Sequence, residues 1–518
     1  MTFGRVTGRI ALALPVALAL AATASHAADN DAPPDFAPLP LRDPYDAGAA
    51  YPDADVFAPR VLPGPKRARD RSAAGADAAE RSVLQGGGVT AWPSLYRDTS
   101  LTVTGSVTGA AAAFKLWNNA FAPPPALQTP GVPLSPGWGE LFLEAGLTAR
   151  YILLPTLAAY GGVSYLETGT RGRDYDGNAN LYYGDTELLY AGVTSTAARV
   201  SLDLSYGQQE YTVGDGMLLW SGATNGAQRG ADYLGPRAAW QRAGLARLAV
   251  RDLLTLEAFH LVPNEAPADA TGTRIAGVNA EWAGGGPMRL GITYLHVPQS
   301  KIITRDGLDV VDLRARLHPF PDQPALWLSG EYAYQTSSRT RAYGWYVQGS
   351  YNAQAWPWKP LIALQWTRLS GDDPGTARWE GFDPLYFGND NPNWYPGKIA
   401  SMFIENTNVQ IGSMSVTLTP GARHVVRLWV LGFRAGNANA SLSVPAPGVA
   451  PPVGGGVPSK PLLTEVDASW TIKFGKDANM SLVAGWATPG RGFQDLYAAS
   501  GGDARAAWLV GTQLNVSY

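Results

Sequence analysis

Arg505-Ala-Ala-Trp-Leu-Val-Gly-Thr-Gln-Leu-Asn-Val-Ser-Tyr518 ends the chain, and its two alternating registers differ sharply. One register holds Ala506, Trp508, Val510, Thr512, Leu514, Val516 and Tyr518. The other holds Arg505, Ala507, Leu509, Gly511, Gln513, Asn515 and Ser517. A β-strand sends successive side chains to opposite faces, so the pattern predicts a strand with one apolar, aromatic-ended face and one small or polar face. A strand that ends the chain on an aromatic is typical of bacterial outer-membrane barrels, whose apolar face meets lipid and whose aromatics mark the interface. The expectation is an inside-out protein with a greasy exterior and a wet interior.

The remaining composition is compatible with that expectation. The chain has 518 residues, a formal net charge of −3, no cysteine and 16% charged residues. Arg5 and Arg9 precede an apolar run from Ile10 to Ala22, followed by Ser25-His26-Ala27. This is the layout of a secretory signal peptide over residues 1–27. The run is shorter than the roughly 20 apolar residues a spanning helix needs. Export without cysteine excludes a disulfide framework, thiolate metal sites and cysteine nucleophiles. The 17 Trp and 23 Tyr suit membrane interfaces. A mean hydropathy of −0.10 suits strands with one wet face.

Residues 28–92 differ in composition from the rest of the chain. Asp31-Ala-Pro-Pro-Asp-Phe-Ala-Pro-Leu-Pro40, the basic group Lys66, Arg67, Arg69 and Arg71, and Gly86-Gly-Gly88 bury too little apolar surface to offset chain entropy. The expectation is a disordered periplasmic leader; a plug or a partner-binding arm is the functional alternative.

From about residue 95 alternation recurs. Leu202, Leu204 and Tyr206 alternate with Asp203 and Ser205; Leu290, Ile292 and Tyr294 with Gly291 and Thr293; Val466, Ala468 and Trp470 with Asp467 and Ser469. No helical interlude interrupts the pattern. About 420 residues at roughly 22–24 per strand and turn give on the order of 18 strands. The predicted fold is all-β: a transmembrane antiparallel up-and-down β-barrel over residues 93–518. Irregular stretches are expected at 118–137, 168–184, 371–406 and 440–461, as extracellular loops or loops folded into the lumen.

Tyr206-Gly-Gln-Gln-Glu-Tyr-Thr-Val-Gly-Asp-Gly-Met-Leu-Leu-Trp220, its continuation Gln228-Arg-Gly-Ala-Asp-Tyr-Leu-Gly-Pro-Arg-Ala-Ala-Trp240, and Ser370-Gly-Asp-Asp-Pro-Gly-Thr-Ala-Arg-Trp-Glu-Gly-Phe-Asp-Pro-Leu-Tyr-Phe-Gly388 carry a family likeness. They resemble alginate-export-type outer-membrane proteins, from about residue 140 to the end. The resemblance implies a monomeric barrel of about 18 strands that lets a polysaccharide leave through the outer membrane. It does not fix the cargo, because fold does not fix function.

A pore for a uronate polymer needs guanidinium and ammonium groups at its narrow point, with carboxylates nearby to keep binding reversible. Strand phase nominates Arg289, Arg314, Arg316, Arg427, Lys473 and Arg505 as inward bases, and Asp203, Glu257, Glu281, Asp312, Glu331, Glu465 and Asp467 as inward acids. Arg237, Arg242, Arg247 and Arg251 are a further basic group. Arg229 and Arg237 are either cargo-facing or loop-holding, against Asp215 or Asp232, and the second role is the simpler. For every lumen charge, cross-strand pairing competes with contact to cargo.

Other signals are weak. Asp174-Tyr-Asp-Gly-Asn-Ala-Asn180 lacks the sixth-position Gly and the flanking helices of a calcium loop. Asp372-Asp373 before Pro374-Gly375 reads as turn chemistry. The histidines lack ligand spacing, so no metal or other cofactor is expected. No nucleophile elbow or phosphate loop occurs, and net charge disfavours nucleic acid. The expected function is therefore passive passage of an anionic polysaccharide, without catalysis. Expected partners are outer-membrane lipid and lipopolysaccharide, the polysaccharide cargo and periplasmic export-complex proteins. The alternatives are an uptake porin for small substrates and a secreted, soluble glycan-binding or glycan-cleaving protein.

Overall fold

The computed structural model describes residues 94–97, 100–197, 199–250, 253–283, 288–320, 322–388, 395–443 and 456–517. The expected signal peptide (1–27) and leader (28–92) lie outside the described residues. The strands are β1 (Ser94–Arg97), β2 (Leu101–Trp117), β3 (Gly137–Leu154), β4 (Leu157–Arg173), β5 (Ala179–Ala197), β6 (Val200–Gln209), β7 (Trp240–Val250), β8 (Leu254–Val262), β9 (Arg274–Trp282) and β10 (Met288–Gln299). They continue with β11 (Asp309–Leu317), β12 (Leu326–Thr336), β13 (Arg341–Asn352), β14 (Leu361–Leu369), β15 (Val409–Gly421), β16 (His424–Ala435), β17 (Pro461–Lys473), β18 (Ala478–Pro489) and β19 (Ala507–Ser517). Among the described residues one α-helix, α1 (Arg491–Ala499), stands between β18 and β19, a helical interlude that the strand alternation did not announce.

Each strand from β2 to β18 pairs antiparallel with the next, and β19 pairs with β2, for example Gln513 with Ala112. The ring is a closed 18-stranded barrel, which satisfies every strand edge without water. β1 pairs with Thr102–Thr104 of β2, on the edge left uncovered below the end of β19. Connections alternate in length. Residues 155–156, 422–423 and 474–477 make tight turns at one end, while 118–136, 210–239 and 490–506 make long loops at the other, where 370–388, 395–408, 436–443 and 456–460 also lie. The middle of the expected irregular stretches 371–406 and 440–461 lies outside the described residues. Long loops mark the extracellular end and short turns the periplasmic one.

The registers read from the sequence are the registers of the wall. In β19, Trp508, Val510, Leu514 and Val516 are exposed while Leu509, Gln513 and Asn515 are buried. In β6, Leu202, Leu204 and Tyr206 face outward, opposite Asp203 and Ser205. With Leu290, Ile292, Val347, Leu364, Trp366, Leu428 and Val430 they form an apolar outer belt around a closed barrel. A soluble protein has no means of covering such a belt, and lipid does. The protein is a bacterial outer-membrane barrel.

Two expectations need correction. Residues 168–184 are not an irregular stretch: β4 runs to Arg173 and β5 starts at Ala179, leaving a five-residue turn at 174–178. Their Gly, Asp and Asn content reflects a hairpin that continues past the lipid, where the outer face is also polar. The interior is also not wet throughout. At the long-loop end the inward residues include Leu116, Leu295, Val310, Leu369, Val409, Leu431, Phe433 and Leu509, and these pack against Met217, Leu219, Phe382, Tyr386 and Ile399 of the long loops. Toward the short-turn end the inward residues become Asp203, Arg247, Asn279, Arg314, Gln348, Arg427, Ser469, Thr471, Gln513 and Asn515. The lumen is filled by packed loops above and lined by polar side chains below.

Leu514 lies on the lipid face at 45% exposure, near the middle of the outer belt. Leu514→Arg is expected to destabilise the barrel by about 2–4 kcal/mol, measured as a shift in urea-driven unfolding from lipid vesicles.

Candidate functional site in the lumen

Loop 210–239 and the segments 370–388 and 395–408 turn into the barrel and are held there by carboxylates on the wall. Glu140 of β3 accepts the backbone N–H of Tyr233 (3.2 Å) and Leu234 (2.8 Å), and the Trp138 indole N–H at 2.9 Å. Glu187 accepts the N–H groups of Ala238 (2.7 Å) and Ala239 (2.8 Å). Glu187 reaches inward because β5 bulges there: Leu188 pairs with Ser164, but Thr186 pairs with Tyr165. A bulge re-aims one side chain against the strand's phase. On β17, Glu465 accepts from Ile399 (2.7 Å) and Ala400 (2.9 Å), and Asp467 from the Lys398 N–H (3.1 Å) and the Tyr395 hydroxyl (2.7 Å). Each acceptor satisfies peptide N–H groups that would otherwise be buried without a partner.

The two loops also hold each other. Trp220 N–H donates to the Tyr386 carbonyl (2.8 Å), Tyr386 N–H to Leu218 (2.9 Å) and Gly388 N–H to Gly216 (2.9 Å). Gly216 has φ of +80°, and a Cβ on Gly388 would strike the Trp220 ring. Both positions therefore require glycine. The segments that carry the alginate-export resemblance, 206–240 and 370–388, thus meet inside the barrel. Asp383 of that second segment takes a bidentate pair from Arg305 (2.7 and 2.6 Å), both buried. Gln335 of β12 adds two bonds to the Asp383 backbone. The motif is an anchor.

Below the loops lies a charged belt. Arg314, 3% exposed, bonds Asp312, Glu281 (2.7 Å), Asn279 (2.7 Å) and the Thr293 hydroxyl (3.0 Å). Glu331 stands opposite it in register. Asp215, from loop 210–239, reaches the Tyr346 hydroxyl in the same region. Arg247 pairs with Glu257 at 2.6 Å, and Asp203 accepts the Tyr160 hydroxyl at 2.9 Å. Arg289 and Arg316 are directly opposed across β10 and β11, and the Arg316 guanidinium lies 4.8 Å from the centre of Trp327. Arg427 bonds Thr417 at 2.7 Å and lies 5.0 Å from Trp429. Lys473 ends β17 at the short-turn side, half-buried.

Some nominated residues have other placements. Arg505 is exposed and precedes β19; its N–H bonds the Phe121 carbonyl. Arg242 points outward at the long-loop end, and Arg251 lies outside the described residues. Arg229 is buried and bonds the Thr224, Asn264 and Glu265 carbonyls and the Asn264 side chain. It does hold a loop, but neither Asp215 nor Asp232 is its partner. Arg237 is buried, 4.8 Å from the Tyr183 ring centre. Glu465 and Asp467 hold loop backbone, so their phase was inward as expected and their partner is protein. Glu140 and Glu187 were not nominated. The only sequence signal for Glu140 is a carboxylate beside Trp138 in an otherwise apolar strand start, and the bulge removes any phase signal for Glu187.

The loop acids serve turns. Asp373 accepts the Gly375 N–H (2.9 Å) and Asp372 the Glu380 N–H (3.0 Å). Asp174 accepts the N–H groups of Asp176 (3.1 Å) and Asn178 (2.8 Å). Burial, then the nearby Asp232 and Asp174 carboxylates, push Asp176 up to about 7.

Removing a clamp should loosen the loops. Glu465→Ala leaves the Ile399 and Ala400 N–H groups without their acceptor, about 1–3 kcal/mol each when buried, and is expected to raise single-channel conductance and current noise. Asp176 gives a pH effect of defined sign. Its folded value lies above the unfolded one, so the folded state keeps a proton from pH 3.8 to about 7 and stability declines as pH rises through that window. Asp176→Asn is therefore expected to raise the melting temperature more at pH 8 than at pH 5.

No protein-family profile and no curated protein matches the chain. Among solved structures, the outer membrane protein OprD from Pseudomonas aeruginosa aligns with TM-score 0.50 and 9% identity, over 83% of this chain and 95% of that one. OccK7 (OpdD) of the same organism gives 0.47 and 12%, over 80% and 98%. OmpF of Salmonella typhi, in complex with daunomycin, gives 0.40 and 14%, over 82% and 100%. At such identity the OprD likeness bears on fold alone, and the fold of this chain is that of a porin-like outer-membrane channel.

Proposed function

We propose that the protein is a passive channel for an anionic saccharide chain of the alginate type. The observation that carries this reading is the set of inward arginines beside aromatic rings in the short-turn half of the lumen, among carboxylates that keep binding reversible. Arg289 opposes Arg316, Arg316 stacks over Trp327, and Arg427 lies beside Trp429. A guanidinium matches a uronate carboxylate with two parallel hydrogen bonds, and an indole face matches the apolar face of a sugar ring. The meeting of the two alginate-export-like segments inside the barrel supports the same reading. Polymer passage requires that loops 210–239 and 370–408 shift from their wall clamps. A second reading, uptake of small acidic solutes, is favoured by those same loops, which narrow the lumen as they stand.

Planar-bilayer recording tests both. Arg289→Glu and Arg316→Glu are expected to lower anion selectivity and to raise the half-blocking concentration of oligouronates by about tenfold, a loss of about 1.4 kcal/mol. Arg314 is the poorer target: reversal there would set a carboxylate beside Glu281 and Asp312 and disturb folding. Unchanged reversal potentials and block in both variants would remove these arginines from the path. Permeation by monosaccharide acids without block by their oligomers would favour the uptake reading.

A further inference from the structure

The outer wall carries a feature that the channel reading does not use. Across β14, β15 and β16 the outward residues form a regular grid. Arg368, Gln410 and Arg434 are in register; two residues toward the periplasm lie Trp366, Gly412 and Gly432; below them lie Leu364, Met414 and Val430. The Trp366 ring lies over Gly412, and Gly432 beside it leaves a concavity in the lipid-facing surface, lined by Trp366, Leu364, Met414 and Val430 and flanked by Val347. A Cβ built on Gly432 meets nothing within 4 Å, so the hollow lies open to the bilayer. It sits within a few residues of the long-loop ends of β14–β16, at the level of the outer leaflet.

Arg368 and Arg434 stand directly above the hollow, both exposed, with Gln410 between them. Arg368 leans on the Tyr343 ring at 5.6 Å, and among the described residues neither arginine has a carboxylate partner. Two guanidinium groups at the edge of the hydrocarbon face outward, where the charge available to them is that of lipid headgroups. Guanidinium binds phosphate bidentately, and an acyl chain gains contacts in an apolar hollow that a flat wall would not offer.

We propose that this site binds one phosphorylated glycolipid of the outer leaflet. Its phosphate bridges Arg368 and Arg434, with Gln410 donating between them, and one acyl chain lies over Gly432 against the Trp366 ring. The two halves are set in register by three adjacent strands, so headgroup and chain are recognised together. The site is independent of what the lumen transports.

Native mass spectrometry of the full-length protein in detergent, titrated with bisphosphorylated lipid A, tests the assignment. The wild-type protein is expected to retain one lipid. Arg368→Gln with Arg434→Gln, and separately Gly432→Leu, are each expected to weaken retention by about tenfold or more, with heat-modifiable migration on gels showing that the barrel has formed. The arginine pair lies on an exposed face, so it keeps the test decisive if Gly432→Leu does not fold. Equal retention in the folded variants would overturn the proposal. So would displacement of the lipid by inorganic phosphate with no effect of Gly432→Leu, which would leave only a free-anion site. Loss of a dimer instead of a lipid in Gly432→Leu would assign the hollow to a second copy of the chain.

Discussion

Carboxylates that reach from the wall to the backbone N–H groups of the in-turned loops organise this molecule. A loop inside a barrel brings polar peptide groups away from bulk water, and each must find a partner. Glu140, Glu187, Glu465 and Asp467 supply acceptors to Tyr233, Leu234, Ala238, Ala239, Lys398, Ile399 and Ala400. With those groups satisfied, the apolar side chains of the same loops pack on the inward Leu, Val and Phe residues of the upper wall. The barrel therefore has two hydrophobic surfaces of different kinds, one solvated by lipid and one by its own loops.

This division explains why lumen acids and bases play unlike parts. Among the nominated acids, Glu465 and Asp467 grip loop backbone, and Asp312 joins Glu281 around Arg314. Arg316 and Arg427 lie beside the rings of Trp327 and Trp429. A near-neutral chain thus divides its inward charges between loop clamps and the lumen below them, an arrangement that net charge does not reveal.

Much of the fold was legible because a barrel wall has a strict period of two. The faces of β6, β10, β12, β13, β17 and β19 all obey it, and closure of about 18 strands comes from length and strand spacing. Residues 168–184 have the composition of a loop and the conformation of a hairpin, because a hairpin extending beyond lipid has no apolar face to announce it. The site was less legible. Phase alone marks Arg314 and Glu465 as inward, but not that the first would meet two carboxylates and the second two peptide N–H groups. Glu187 escapes any phase argument because a single extra residue turns it around. Arg505 keeps the inward phase of β19 but lies before the strand begins. The segments that carry the family likeness hold Asp383, Gly216 and Gly388, fittings that bring distant parts of the chain together and that no spacing in the sequence announces.

The mutual pairing of Leu218–Trp220 with Tyr386 sets an order of construction. These peptides lie far apart in sequence, and their loops enter the lumen from the same mouth. Contacts between such distant segments cost loop-closure entropy before they are rewarded, so they form slowly. The furnishing of the lumen is therefore the part of the molecule expected to settle last, inside a wall whose hairpins are local in the chain.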